Sequence, residues 1–280
     1  MFPRAVFAPV GQVSGPVIAR TNPQKKDVFL FDLEVLTSSE FSHLDHSFAD
    51  YLREFLGERQ CYLLTRNSFN DACARLPKSV LKRFAGIFAS CGTELWIDEQ
   101  LSVCHDHAFP DELYEFVVNV VRKSSFYDRS PPLIDQGAAC LRICLAGIRA
   151  SAFGQRMYEN WENKNQELPD IITEFQFRFP EYSIYRDTKT SLLILPNSFS
   201  PSSIRAAVDK HQKPARLISY LHKGTTNGFA KSLCDALPGS DVLSEIAGPS
   251  DVSQLMSYEI RLTAGKEHLI RVPETMREVV

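Results

Sequence analysis

Residues 27–37 read DVFLFDLEVLT, and this stretch determines how the rest of the chain is interpreted. Four consecutive apolar residues end at Asp32, and a second acid follows two positions later at Glu34. A short apolar run of this kind predicts a buried strand, with Asp32 at its carboxyl end. A nucleophilic carboxylate needs an acid/base partner within reach, and two acids this close at a strand end could supply both groups. Asp32 and Glu34 are therefore the candidate catalytic residues.

The composition excludes several classes of protein. The chain has 280 residues and 44% hydrophobic content, enough to bury a full core. The net charge is −3 and there is no basic block, so neither nucleic acid nor an anionic membrane is the expected partner. The apolar runs are short and interrupted by charges, so no segment is predicted to span a bilayer. Seven cysteines, odd in number and spread along the chain, suit a reducing compartment and predict a cytoplasmic location.

Strand-like and helix-like segments alternate in two separate parts of the chain, residues 27–93 and 197–260. This alternation predicts an α/β fold with a doubly wound parallel sheet. Between these parts, residues 94–196 combine hairpin-like pieces with helical segments, which predicts an inserted α+β domain.

The two ends of the chain carry weaker signals. Residues 1–26 contain Pro, Gly and Ser without an uninterrupted hydrophobic centre, which predicts a flexible leader rather than a cleaved secretory signal. The leader could still act as an address label or a partner-binding arm. Residues 261–280 are assigned as a C-terminal tail.

Seven segments between residues 29 and 256 carry a family resemblance through their order and spacing. They are FDLEVLT, LLTRNSFNDACARL, KSVLKRFAGIFASCGTELW, CLRICLAGIRASAFGQRMYENWENK, SLLILPNSF, ARLISYLHKGTTNGF and EIAGPSDVSQLM. In this order they resemble the eukaryotic-type phosphomannomutases, a capped branch of the haloacid dehalogenase (HAD) superfamily. The resemblance implies a HAD-like parallel-sheet core, with the inserted domain as a cap that closes over the nucleophile. It also implies a homodimer formed through the cap.

The resemblance assigns roles to residues of the first two motifs. The family pattern is Asp-x-Asp-Gly-Thr, in which Asp32 keeps the nucleophile's place and Glu34 keeps the acid/base place with one more methylene. Val35 replaces the glycine. The second motif corresponds to a turn in which Thr65 and Arg66 are expected to bind phosphate or substrate.

Further ligand contacts are implied elsewhere in the chain. Arg149 and Arg156 match two arginines that bind the substrate in the cap of the family. The family's cap aspartate that hydrogen-bonds the sugar aligns with Leu193. Lys223 matches a family lysine that follows the metal-binding aspartate. This lysine could replace the missing cation, as a lysine does in the metal-independent haloalkanoic branch; the alternative is a solvated loop lysine.

The metal-binding positions of the family are not kept. The metal-binding aspartate falls at His222, and the later Asn-Asp pair falls at Phe229 and Ala230. The lysine that steadies the phosphoryl oxygens falls at or near Pro201. Mg²⁺ prefers near-octahedral oxygen ligands, so the sequence predicts no metal site and no conventional Mg²⁺-dependent mutase.

One other cluster has the composition of a metal site. Residues 104–107 read CHDH, but ligands this close in sequence rarely converge on one ion, and no second half follows at a standard spacing. A polar loop of the cap is the favoured interpretation.

Three functional hypotheses remain open at the level of sequence. The first is a phosphomannomutase-like protein with a degenerate active site, which binds a phosphosugar or a protein partner and needs no cofactor. The second is an altered HAD-type phosphatase or phosphotransferase that acts through Asp32 on a phosphosugar or another small phosphoester, and only this hypothesis calls for Mg²⁺. The third is a secreted effector whose leader is an export signal. Whether the protein is an enzyme is thus undecided.

Overall fold

The computed structural model describes residues 28–37, 44, 46–212, 218–222, 228–236, 242–245 and 249–263. The strands are β1 (Val28–Asp32), β2 (Gln60–Leu64), β3 (Gly86–Ala89), β4 (Glu94–Ile97), β5 (Gln100–Cys104), β6 (Ile134–Gln136), β7 (Leu141–Cys144), β8 (Tyr182–Arg186), β9 (Ser191–Pro196), β10 (Ile218–His222) and β11 (Val242–Glu245). The helices are α1 (Leu33–Leu36), α2 (His46–Glu58), α3 (Phe69–Arg75), α4 (Lys78–Leu81), α5 (Asp111–Lys123), α6 (Ala152–Asn165), α7 (Glu167–Arg178), α8 (Ser202–Gln212), α9 (Gly228–Ala236) and α10 (Pro249–Thr263). Of these helices, none is both long and apolar enough to cross a membrane.

The core of the protein contains a seven-stranded sheet with strand order β11-β10-β1-β2-β3-β4-β5. The strands from β11 to β3 pair in parallel, and β1 lies between β10 and β2. Alternate residues of β1 point to opposite faces, so Phe31 packs with the helices on one side and Leu30 with those on the other. A parallel sheet covered on both faces requires such continuous apolar strands. The predicted doubly wound parallel core is therefore confirmed.

A second, four-stranded antiparallel sheet, with order β6-β7-β9-β8, lies within the inserted part of the chain. Helices α5, α6 and α7 contribute to one buried cluster with this sheet, which includes Phe116, Tyr158, Phe175 and Ile194. This unit is the α+β cap. Its apolar residues form a cluster separate from those on either face of the core sheet.

The hairpin formed by β4 and β5 belongs to the core sheet and not to the cap. β4 pairs antiparallel with β3, and β5 pairs antiparallel with β4 at the edge of the sheet. Asp98 and Glu99, which join the two strands, both have positive φ, as two-residue hairpin turns require. The expected cap boundary at residue 94 was thus wrong by the length of this hairpin, because antiparallel strands can also extend the edge of a parallel sheet. The boundary expected at residue 260 also falls inside α10, while residues 1–26 lie outside the described residues.

Candidate active site

Asp32 is the last residue of β1 and the N-cap of the one-turn helix α1. Its Oδ1 accepts a hydrogen bond from the Glu34 backbone N–H at 3.1 Å. β1 and β2 are in parallel register with Asp32 opposite Leu64, so the turn that follows β2 begins at the same edge of the sheet. In open α/β sheets, ligands bind in the crevice outside this edge. The first two predicted motifs therefore meet where the fold places a site.

Burial controls the acidity of Asp32, whose side chain is almost inaccessible to solvent. Burial raises the pKa of Asp32 to about 6, because a desolvated carboxylate is disfavoured. The Arg66 guanidinium acts in the opposite direction, and the nearby carboxylates of Glu34 and Asp187 add to the increase in pKa. Burial outweighs the arginine, but Asp32 is still mostly ionised at neutral pH.

Glu34 is held by an arginine that the sequence did not predict as part of the site. Arg75, from α3, donates hydrogen bonds to Glu34 Oε1 at 2.9 Å and to Oε2 at 3.4 Å. It also donates to Thr37 Oγ1 at 2.7 Å. Both side chains are buried, so the second acid of the Asp-x-Glu pair takes part in an internal ion pair.

Thr65 and Arg66 lie beside Asp32 in the turn after β2. Thr65 is buried, and its hydroxyl oxygen accepts a hydrogen bond from the Asn67 backbone N–H at 3.2 Å. Arg66 Nη2 lies 3.9 Å from Asp32 Oδ2, and Arg66 Nε lies 3.5 Å from Asp187 Oδ1. The Arg66 guanidinium is thus close to two carboxylates, one from the core and one from the cap.

Two residues of the cap reach this turn, and neither was predicted. Arg142, from β7, donates a hydrogen bond to Asn67 Oδ1 at 2.6 Å and pairs with Asp135 at 3.3 Å. Asp187 follows β8 and is completely buried. The sequence signal for Arg142 was a lone charge inside the apolar run ACLRICLAGI, whereas Asp187, in a turn-like stretch, gave none.

The other predicted ligand contacts are not among the partners described above for Asp32, Thr65 and Arg66, and they stay predictions. The side chains of Arg149 and Arg156 are exposed on the cap. Within the described residues, neither forms a hydrogen bond or ion pair with Asp32, Thr65 or Arg66. Lys223 lies outside the described residues.

In the CHDH segment, the side chains of His105 and His107 contact different partners. The His105 ring packs on Phe199 with centroids 5.1 Å apart, while His107 shares a hydrogen bond of 2.9 Å with the Tyr182 hydroxyl. Over the described parts of the chain, no group of three or more acids, histidines or cysteines is arranged to hold a metal ion.

Among the residues that the structure describes, the donor set at the cleft does not fit Mg²⁺. Asp32 faces the Arg66 guanidinium at 3.9 Å, and Glu34 is bound by Arg75. The position that the resemblance assigns to a metal-binding aspartate is His222, which is buried at the end of β10 with its ring 5.1 Å from that of Tyr220. Magnesium favours an octahedral shell of oxygens, which carboxylates already paired with arginines cannot supply without breaking those pairs.

No protein-family model matches the sequence, and no curated protein matches it significantly. Solved structures do match. An IMP-bound, N-terminally truncated IMP-nucleotidase from Plasmodium falciparum superposes with a TM-score of 0.55 at 11% identity, over 85% of this chain and 68% of that one. A trehalose-6-phosphate phosphatase related protein gives 0.53 at 13% identity, over 86% and 100%. A haloacid dehalogenase-like hydrolase from Bacteroides thetaiotaomicron gives 0.56 at 10% identity, over 84% and 100%. The chain thus has the fold of HAD-type phosphatases, a parallel-sheet core with an inserted cap.

Proposed function

We propose that this protein binds a small phosphorylated compound, in the first place a phosphosugar, over Asp32 without Mg²⁺-dependent phosphoryl transfer. One observation carries this proposal: each acid of the Asp-x-Glu pair faces an arginine, Asp32 facing Arg66 and Glu34 facing Arg75. The positive charge that a divalent ion would supply beside these acids is thus provided by Arg66 and Arg75.

Phosphoryl transfer depends mainly on positioning and on neutralising the charge that develops on the phosphoryl oxygens. Loss of one such electrostatic contact costs on the order of 10²–10³ in rate. In the described part of the cleft, the two acids face arginines and do not form an oxygen donor set for the metal. Binding of a phosphorylated ligand does not require the charge that develops in the transition state to be neutralised. An arginine guanidinium with a planar fork of donors recognises phosphate well, so Arg66 is suited to hold a phosphoryl group.

Among small phosphorylated compounds, a phosphosugar is favoured as the ligand for two reasons, one from proteins of similar structure and one from the cap. The structural neighbours include a trehalose-6-phosphate phosphatase related protein. The cap reaches the core turn with Arg142 and Asp187, and the hydroxyls of Thr188 and Ser191 lie in the same connection as Asp187. Such polar groups suit a ligand that carries hydroxyls next to its phosphate.

The second candidate function is an altered phosphatase that acts through Asp32. The observation in its favour is that Asp32 remains at the carboxyl end of β1, with a pKa of about 6 that leaves it ionised at neutral pH. In this case an oxygen of Asp32 would attack phosphorus as the ester P–O bond breaks, and the alcohol would leave with a proton taken from water. Water would then hydrolyse the aspartyl phosphate, releasing phosphate and regenerating Asp32, while Arg66 would stabilise the negative charge on the phosphoryl oxygens.

A protein partner and a homodimer remain further proposals for the cap. Phe153 and Met157 are exposed one helical turn apart on α6, and Phe177 is exposed on α7. Light scattering of the purified protein would test the dimer, and substitution of Phe153 with serine would be expected to weaken it.

Calorimetric titration with inorganic phosphate and a set of hexose phosphates, in the presence of a chelator, tests the main proposal. We expect binding without metal, weakened at least about tenfold in Arg66→Lys, which keeps the charge but loses the fork of donors. Arg178→Lys is the matched control, because that arginine is exposed on α7, where it pairs with Glu174 across one helical turn and lies over the Phe116 ring. No binding by the wild-type protein, or binding unchanged in Arg66→Lys, would contradict the proposal.

A further inference from the structure

The turn between β8 and β9 places a carboxylate inside the cleft. Asp187 is completely buried, and its Oδ1 lies 3.5 Å from Arg66 Nε. That oxygen has no hydrogen-bond partner among the described residues, while Oδ2 accepts from the Ser191 hydroxyl at 3.5 Å. Its negative charge also contributes to the raised pKa of Asp32.

We propose that Asp187 is an internal competitor of the ligand, occupying at Arg66 the place of the incoming phosphoryl group and thereby holding the cap closed on the empty site. This inference rests on the proposed function, since it assumes that Arg66 binds the phosphoryl group. The proposal adds a form of regulation, because binding of the ligand at Arg66 would release the contact between Asp187 of the cap and Arg66 of the core.

Charge balance supports the competition. The Arg66 guanidinium already faces the two carboxylates of Asp32 and Asp187. A phosphate brings at least one further negative charge into a buried site, and uncompensated charge there is costly. One carboxylate must therefore withdraw or take up a proton before a phosphate can bind at Arg66.

The local structure indicates which carboxylate moves. Asp32 is fixed at the end of a central strand and caps α1. Asp187 instead belongs to a four-residue connection closed by its own side-chain hydrogen bonds, including one of 2.7 Å between the hydroxyls of Thr188 and Ser191. Such a turn can shift as a unit with the cap without disturbing the core sheet.

Other contacts also join the cap to the core, among them the packing of the Tyr185 ring against that of Phe229 at 6.3 Å and a hydrogen bond from Arg142. Arg142 donates to Asn67 Oδ1, a neutral amide oxygen, at 2.6 Å. A phosphate at Arg66 would not compete for that hydrogen bond. The contact between Asp187 and Arg66 is thus the one that responds to the charge of the ligand.

The test compares Asp187→Asn with the wild-type protein in titrations with inorganic phosphate. Asparagine keeps the shape of the side chain and removes its charge, so we expect phosphate to bind at least about tenfold more tightly. Asp135→Asn is the matched control, since Asp135 is a cap acid paired with Arg142 rather than with Arg66. Its phosphate affinity should stay within about twofold of the wild-type value, as expected for a partly exposed pair. Unchanged or weaker binding by Asp187→Asn, or equal tightening by both variants, would overturn the inference.

Hydrogen exchange in the absence of ligand provides a second readout that does not depend on the proposed function. The backbone amides of residues 65–67 and 187–191 should exchange faster in Asp187→Asn than in the wild-type protein, because the closing contact is weakened. If no variant binds phosphate, the proposed function fails, and these exchange rates alone decide whether Asp187 closes the cap. Unchanged exchange would overturn the closing role. If Asp187→Asn does not fold, Asp187→Ser replaces it in the phosphate titration and in the hydrogen-exchange measurement.

Discussion

The Arg75 guanidinium donates hydrogen bonds to both carboxylate oxygens of Glu34, at 2.9 and 3.4 Å. This pair joins α1, which follows the candidate nucleophile, to α3, which follows the second motif. Both side chains are buried, so neither charge can be hydrated if the other is removed. The acid that the sequence assigned to acid/base catalysis is therefore part of the structural framework of the site.

Removal of Arg75 should destabilise the protein strongly. Arg75→Met leaves Glu34 as a buried, uncompensated charge, and loss of one partner of such a pair costs about 3–5 kcal/mol. Urea unfolding measures this free energy. The double variant Glu34→Leu with Arg75→Met should recover most of the loss, because both charges are then absent. A change below about 1 kcal/mol in Arg75→Met, as expected for the exposed pair of Arg178 and Glu174, would contradict the assignment.

The titration of Asp32 should make stability fall as the pH rises. Its folded-state pKa of about 6 lies above the ordinary value of 3.8, so the folded protein holds this proton more tightly than the unfolded chain. The stabilisation is complete below about pH 4 and is lost through about pH 6, by up to about 3 kcal/mol. Asp32→Asn removes this titration, so its free energy of unfolding relative to wild type should increase across that range. The exposed Asp128→Asn is the control. A constant difference between Asp32→Asn and wild type would contradict the burial of the ionised group.

Two glycines should respond in opposite ways to alanine. Gly147 has a φ of +105°, and a Cβ there would overlap the Ser130 carbonyl, so Gly147→Ala should cost more than about 3 kcal/mol. Gly154 lies in α6, where a Cβ would meet Ala150 Cβ at an ordinary 3.6 Å. Gly154→Ala should stabilise the protein by up to about 1 kcal/mol, because glycine is a poor helix former. Thermal unfolding of both variants tests the path of the chain from β7 into α6, and equal effects would contradict it.

Much of the fold could be predicted because it depends on local patterns. Continuous apolar runs gave the buried parallel strands, and Asp32 directly follows one of them. The hairpin of β4 and β5 was misassigned because its pattern is that of any antiparallel hairpin, and only its pairing with β3 shows that it belongs to the core. Pairing of strands is a tertiary property that a short sequence pattern does not contain.

The candidate site was predictable only on the core side. Thr65 and Arg66 were expected from the resemblance of their segment to the second family motif, and the structure places their turn at the same sheet edge as Asp32. Arg75 and Asp187 were missed because each acts through a partner distant in sequence, Glu34 and Arg66 respectively. Arg149 and Arg156 were expected from the family resemblance to bind the substrate; their side chains are exposed on the cap, and this role stays a prediction.

The central claim is that the cleft over Asp32 works with arginines in place of a divalent metal ion. The most direct measurement is a Mg²⁺ titration, together with turnover of hexose phosphates with and without Mg²⁺, for wild type, Asp32→Asn and the control Asp128→Asn. We expect no saturable Mg²⁺ binding that depends on Asp32 and no Mg²⁺-dependent release of phosphate. Saturable binding and turnover that are present in wild type and Asp128→Asn but lost in Asp32→Asn would contradict the claim.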